Sequence, residues 1–193
     1  LPYTFSENLC NGKLAYAMYK KGWHVDVLSK VDEGPAYSTE WTEPWLPLKK
    51  NNITITYPVG GKLTRMWDVL RSSVKLGMYP EGGVRWACRA YDLALKLCKE
   101  NHYDAVLTRS PSDIPHIIGL RLKEKLGIRW IANWNDPAAP IWPEPYTHHF
   151  SAKEQARRDQ FTRMCLKGAD VNTFPSQFLL EHFTSHYPFL AEQ

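Results

Sequence analysis

Several features that often reveal a function are missing or sparse in this chain. Four cysteines, Cys10, Cys88, Cys98 and Cys165, are scattered through 193 residues, without the close spacing that a zinc site needs. The last three sit in helix-like stretches, where cysteine behaves as a small hydrophobe, so reduced thiols and a cytoplasmic setting are expected. No window approaches the roughly 18 apolar residues of a membrane span, and no signal-peptide pattern opens the chain. Any membrane contact should therefore be peripheral, at the inner face. No GxGxxG is present, which weakens the case for a dinucleotide-dependent oxidoreductase. Positive charge is also modest: 24 basic against 20 acidic residues give a net charge of +4, far short of the dense basic face of a nucleic-acid binder. His182 and His186 stand four apart and His148 and His149 are adjacent, but no acidic ligand accompanies the first pair, and no metal site is assigned.

What is present is an ordinary core-forming composition, 44% hydrophobic and 23% charged. A chain of this length is sized for one domain, taken as residues 1–193. The periodicity alternates between helix and strand. "NGKLAYAMYKK" (11–21) is helix-compatible, Gly22 suits a helix stop, and "WHVDVLS" (23–29) reads as a strand. Residues 32–50, with three prolines and two tryptophans, form an irregular excursion, and "NITITY" (52–57) is a β-branched strand. Leu63, Met66, Trp67, Leu70 and Val74 recur at the spacing of an amphipathic helix. A helix over 83–100 leads to a strand in "YDAVLTR" (103–109). Ser112 or Asp113 can then cap a helix that stops at Gly127. "IRWIAN" (128–133) is a strand, followed by a proline-rich loop and a charged helix over 151–167. "DVNTF" (170–174) is a short strand, after which Ser176 caps a last helix. Strands separated by helices imply parallel pairing. The expected fold is α/β, a Rossmann-like three-layer domain with a mainly parallel sheet and helices on both faces.

In an open parallel sheet, ligands collect beyond the carboxyl ends of the strands. Trp134, Asn135 and Asp136 should lie at such an end, beside Arg109 and Ser110 at the end of the preceding strand. The arrangement describes a binding crevice, where rings could cover an apolar ligand face and the amide and carboxylate could bond its polar groups. Packing for Trp134, and a turn-capping role for Asp136 before Pro137, are the structural alternatives. Ser110 and Ser112 could likewise receive an anionic group at a helix amino terminus or serve as caps.

The succession "LAYAMYKKGWHVDVLS", "YDAVLTRSP", "LRLKEKLGIRWIANWNDP" and "KGADVNTFPSQFLLEHF" resembles the amino-terminal domain of GT-B glycosyltransferases, in particular the large retaining group that uses nucleotide sugars. Gly22 with His24, Tyr103-Asp104, Ala169-Asp170 and Ser176 carry the likeness in order, over most of the chain outside 32–95. Some members carry Asp-x-Arg-Asp-Pro where this chain has Asn133-Trp134-Asn135-Asp136-Pro137; the second aspartate is kept and the arginine is not. The family's opening apolar strand and glycine-rich turn have no counterpart in "LPYTFSENLCNG", and no two glutamates stand eight apart as they do in the family's donor domain.

The resemblance implies the acceptor-binding half of an enzyme that moves a hexosyl group from a nucleotide sugar to a glycan or lipid-linked acceptor, building a polysaccharide or glycolipid. The carboxyl-terminal donor domain would lie outside these residues. No cofactor is implied on this chain, no catalytic residue is assigned, and turnover by the chain alone is not expected. Asp136, Asn135, Trp134, Arg109 and Ser110 are the implied acceptor-binding residues, with Glu7 and Asn8 added from the turn before the first helix. The alternative is a non-catalytic glycan- or nucleotide-binding module of the same fold.

The helix at 63–74 adds a separate possibility. It carries Lys62, Arg65, Arg71 and Lys75 around Trp67 and Leu70, and a basic amphipathic helix can lie on an anionic bilayer. The rival is a core-facing helix with a solvated basic side. Lys153, Arg157, Arg158, Arg163 and Lys167 of the charged helix could attract phosphates or simply face water.

Overall fold

The computed structural model describes residues 6–30, 49–53, 61–110 and 113–192, with only the backbone for 6–9, 30 and 49–53. Two compact units divide the chain, residues 1–56 and 57–193, and each is described by itself.

The first unit holds α1 (Ser6–Lys20), β1 (Asp26–Lys30) and β2 (Lys49–Ile53). The α1 helix starts five residues earlier than its apolar periodicity indicates, so Glu7 and Asn8 belong to its first turn and not to a preceding loop. Gly22, at φ 85°, turns the chain after α1, a conformation that glycine adopts without steric cost. The β1 and β2 strands pair in parallel with Asp26 opposite Lys49 and Lys30 opposite Ile53. Lys49 and Lys50 are thus strand residues, a correction to the excursion expected over 32–50. Their polar sequence gives no strand signal, because the ladder with β1 and not local propensity sets them. The rest of that excursion, and residues 54–57 of the expected strand, lie outside the described residues.

The second unit runs α2 (Lys62–Leu76), α3 (Val84–Glu100), β3 (Ala105–Arg109), α4 (Ile114–Leu126), β4 (Arg129–Asn133), α5 (Ala152–Gly168), β5 (Val171–Thr173) and α6 (Gln177–His186), with short 3-10 turns at Ala139–Ile141 and Pro188–Glu192. Its strands form one parallel sheet in the order β3-β4-β5. Each crossover is a helix, as parallel pairing requires. The chain is therefore α/β, with a small parallel sheet flanked by helices. Several boundaries follow the local signals: Gly127 ends α4 at φ 68°, Ser151 Oγ accepts from Glu154 N at the start of α5, and Ser176 Oγ accepts from Leu179 N at the start of α6. Asp113 precedes α4 as expected, yet makes no side-chain cap; its carboxylate instead accepts from Ala139 N at 3.3 Å.

Trp130 organises the core of this unit. Its ring is fully buried, and its indole N–H donates to Thr108 Oγ at 2.8 Å. The α4 helix comes close because residue 119 is glycine: a Cβ there would lie 2.1 Å from the indole nitrogen. Leu120, Leu122, Phe161, Cys165 and Leu166 are buried in the same unit. At the opposite strand ends, Asp170 accepts from Trp130 N and from Lys123 Nζ, each at 2.8 Å.

Candidate functional site

The register of the sheet places Arg109, Asn133 and Thr173 in one row across its carboxyl edge. Asn133 Nδ2 donates to Thr173 Oγ at 2.8 Å. The chain just beyond this row is stitched into a shelf. Ser110 N donates to Asn133 O at 3.2 Å and Trp134 N to Thr173 O at 2.9 Å. Asn135 N then donates to the buried Ser110 hydroxyl at 2.7 Å, while Asn135 Oδ1 accepts from Arg109 Nη2 at 2.7 Å. Arg109, Ser110 and Asn135, named from the sequence, are therefore brought together by direct bonds. Asp136 follows on the same shelf, half-buried, and among the described residues it has no hydrogen-bond or ion-pair partner.

Trp134 does not belong to an exposed binding surface, and this corrects its expected role. The ring is fully buried, with its centroid 4.1 Å from that of His116 and 5.3 Å from that of Phe183. Its indole N–H donates to Asn172 Oδ1 at 2.9 Å. A loop tryptophan turns inward here because α4 presents an imidazole and α6 a phenyl ring for it to pack against. The rings left accessible near the proline-rich loop are Tyr146, which is exposed, and Trp142, half-buried against Tyr146 and His148. Glu7 and Asn8 belong to the first unit.

The shelf groups hydrogen-bonding and charged side chains. Ser110 Oγ accepts from a backbone amide, and among the described residues no histidine or carboxylate is bonded to it. His116, whose ring packs on that of Trp134, is fully buried with Nδ1 2.8 Å from Thr108 Oγ and no partner on Nε2 among the described residues. Burial pushes its pKa down to about 3, so it is neutral in the interior. Arg109 has a different character. Its Nη2 is fixed by Asn135, its Nε is buried without a partner, and no carboxylate among the described residues pairs with it. A guanidinium and a carboxylate at one sheet edge, neither ion-paired among the described residues, suit a ligand carrying several hydroxyls and an anionic group.

The sequence offers Asp113 only as a cap, and the fold gives it a further contact. The carboxyl is 7% exposed and links the start of α4 to the proline-rich loop through Ala139. Burial raises its pKa to about 6, against the opposing pull of the Ala139 amide and of Arg158. Arg158, one of the basic residues offered as a phosphate attractor, is occupied by protein: it donates to Glu154 Oε1 at 2.8 Å and its guanidinium lies 4.3 Å from the Phe150 ring centre. Arg163 is paired with Asp159 at 2.7 Å, and Lys167 lies over Phe189. His182 Nε2 donates to the Ile141 carbonyl oxygen at 2.7 Å. No group of three histidine, cysteine or carboxylate side chains among the described residues is placed to hold a metal ion.

Asn133 and Thr173 were missed as parts of the edge. The signal that finds them is the common end point of three aligned strands, which needs the register. No protein-family model, curated protein or solved structure matches this chain.

Proposed function

We propose that this chain is the acceptor-binding half of a nucleotide-sugar-dependent glycosyltransferase, with Asp136 and Arg109 holding a glycan or lipid-linked acceptor at the carboxyl edge of a Rossmann-like sheet. The observation that carries the reading is the shelf itself. Arg109, Ser110 and Asn135 are bonded to one another, while Asp136 beside them has no partner. Such an edge, where the loops after parallel strands begin, is the usual ligand position of open α/β sheets. The order of motifs along the sequence supports the same assignment and extends it to a three-layer, GT-B type domain.

Titration of the 15N-labelled chain with free hexoses, a hexuronate, a hexose phosphate and a UDP-hexose tests this. Acceptor-like sugars are expected to move the amides of Ser110, Asn135 and Asp136, and the UDP-hexose is not. Asp136→Asn keeps the shape and removes the charge. Loss of a charge-assisted hydrogen bond costs about 1.5–3 kcal/mol, so binding should weaken by about one to two decades with melting unchanged. No amide shifts at the shelf with any sugar, or wild-type affinity in Asp136→Asn, would return Asp136 to a turn-supporting role.

A further inference from the structure

We propose that the proline-rich loop after β4 is an aromatic platform for a glycan chain, with Trp142 and Tyr146 covering hexose rings that extend from the shelf. The choice of a glycan rests on the acceptor reading of that shelf. Tyr146 is 68% exposed, and its ring crosses that of Trp142 at 71° with centroids 6.5 Å apart. His148, also exposed, meets Trp142 at 5.9 Å and 77°. Rings crossed in this way are not stacked face on face, so the Tyr146 ring keeps apolar surface for a ligand.

The loop is tied down so that these rings are held in place before anything binds. Ala139 N donates to Asp113 at the start of α4 at 3.3 Å, Pro140 O accepts from Gln155 of α5 at 2.8 Å, and Ile141 O accepts from His182 of α6 at 2.7 Å. Thr147 Oγ1 donates to Trp142 O at 3.1 Å and Tyr146 N to Pro143 O at 2.9 Å, closing the turn that carries both rings. Pro137, Pro140, Pro143 and Pro145 restrict φ at four more positions. Order that exists in the free protein is not charged against the affinity of a ligand.

The surroundings of the rings select the occupant. The Trp142 indole N–H, the Tyr146 hydroxyl and the exposed Glu144 carboxylate have no hydrogen-bond or ion-pair partner among the described residues. An apolar face rimmed by a donor, a hydroxyl and an acceptor matches a hexose, which has C–H groups across its ring and hydroxyls at its edge. A peptide strand gains little here: Pro140, Pro143 and Pro145 have no amide hydrogen, and those of Ala139, Ile141 and Tyr146 are already bonded. An anionic surface gains nothing either, because no lysine or arginine occurs from 137 to 152. Trp142 follows Asp136 by six residues, at most about 22 Å of chain, so one oligosaccharide can touch the shelf and the rings together.

Titration of the 15N-labelled chain tests this, with the Trp142 indole resonance assigned from Trp142→Phe. The probes are maltotriose, cellotriose and mannotriose, with free glucose and mannose and a decaproline peptide beside them. At least one trisaccharide is expected to move the Trp142 indole together with the Asn135 and Asp136 amides, while its monosaccharide moves the shelf amides alone. Tyr146→Ala should weaken that trisaccharide by about two- to tenfold, the worth of one ring contact, and leave the monosaccharide's affinity as it was. Its Tm should shift by less than about 3 °C because the ring is exposed. Shelf amides that respond while the Trp142 indole stays still, or wild-type trisaccharide affinity in Tyr146→Ala, overturn the platform and leave the acceptor reading standing. Silence at both places overturns the two together. Rings that respond to decaproline and to no sugar identify a peptide site, which also overturns the proposal.

Discussion

Replacing Asp113 with asparagine should stabilise this protein at neutral pH and leave it unchanged in acid. Asp113 is buried where its carboxyl titrates at about 6 in place of the ordinary 3.8. The folded state therefore holds a proton that the unfolded chain has released between those values. Stability contributed by the neutral acid is fully present below about pH 4 and is lost as pH rises through 6. The difference of about two units, at 1.36 kcal/mol each, sets the cost of the charged form at pH 7 at roughly 3 kcal/mol as a ceiling. Asparagine removes that cost and keeps an oxygen for Ala139 N, though its amide must still be desolvated. A gain of about 1–3 kcal/mol is expected, which is about 3–10 °C in Tm for a chain of this length. Thermal melts of both proteins from pH 4 to pH 8 provide the assay. Taking the difference between them matters, because His116 three residues on gives the parent curve a slope of opposite sign. The Tm gap should be near zero at pH 4, open between pH 4 and 6, and then stay level. A gap that is constant with pH, or a variant that melts lower at pH 7, would refute the argument that burial dominates the Asp113 environment.

Three further outcomes follow from the same geometry. His116, held neutral by burial with a pKa near 3, contributes stability that is lost as pH falls below about 6.5; His116→Gln should flatten the acid limb of the Tm profile even if the variant is less stable throughout. Gly119→Ala puts a methyl group 2.1 Å from the Trp130 indole nitrogen, so overpacking should cost about 1–3 kcal/mol despite alanine's better helix propensity, with a change in tryptophan emission; unaltered melting would show that the ring moves freely. The isolated chain should neither transfer nor hydrolyse a nucleotide sugar, and micromolar affinity for a UDP-hexose by calorimetry would remove the division of labour between two halves.

Much of the second unit is readable from local signals because its strands carry apolar centres and its helices carry stops. "AVLTR" and "RWIAN" have the β-branched or aromatic runs of buried parallel strands, and Gly127, Ser151 and Ser176 do what their chemistry predicts. What failed to show is direction. A helical period reveals that α2 has an apolar stripe, but not that Trp67 and Leu70 on it are exposed. The buried side of α2 is Ser72, Ser73 and Leu76, and Asp68 with Arg85 and Lys75 with Asp92 pair it to α3. Likewise the placement of Trp134 in a loop says nothing of the His116 and Phe183 rings that draw it inside. The candidate shelf was half legible: Arg109, Ser110, Asn135 and Asp136 follow from strand ends, whereas Asn133 and Thr173 emerge only once the ladder aligns them. Asp113 was found at the right position with the wrong partner, since the competing donor, Ala139, comes from a loop 26 residues away.

The three residues of β5 are too few for ladder bonds alone to hold them in register, and a slip by one would turn Asn172 away from the core. Asp170 prevents it by gripping both sides of one residue: its side chain accepts from Trp130 N, and its own amide donates to Trp130 O at 2.9 Å. With Lys123 bonded to the same carboxyl, the hydrogen bonds to Lys123 and to the Trp130 amide hold that carboxyl below the usual carboxylate range. The grip is therefore present above the ordinary aspartate pKa and loosens as pH falls through the lowered one. In strong acid β5 should be the first strand to exchange its amide hydrogens, and Trp134, tied to Asn172, should report the slip while β3 and β4 stay paired.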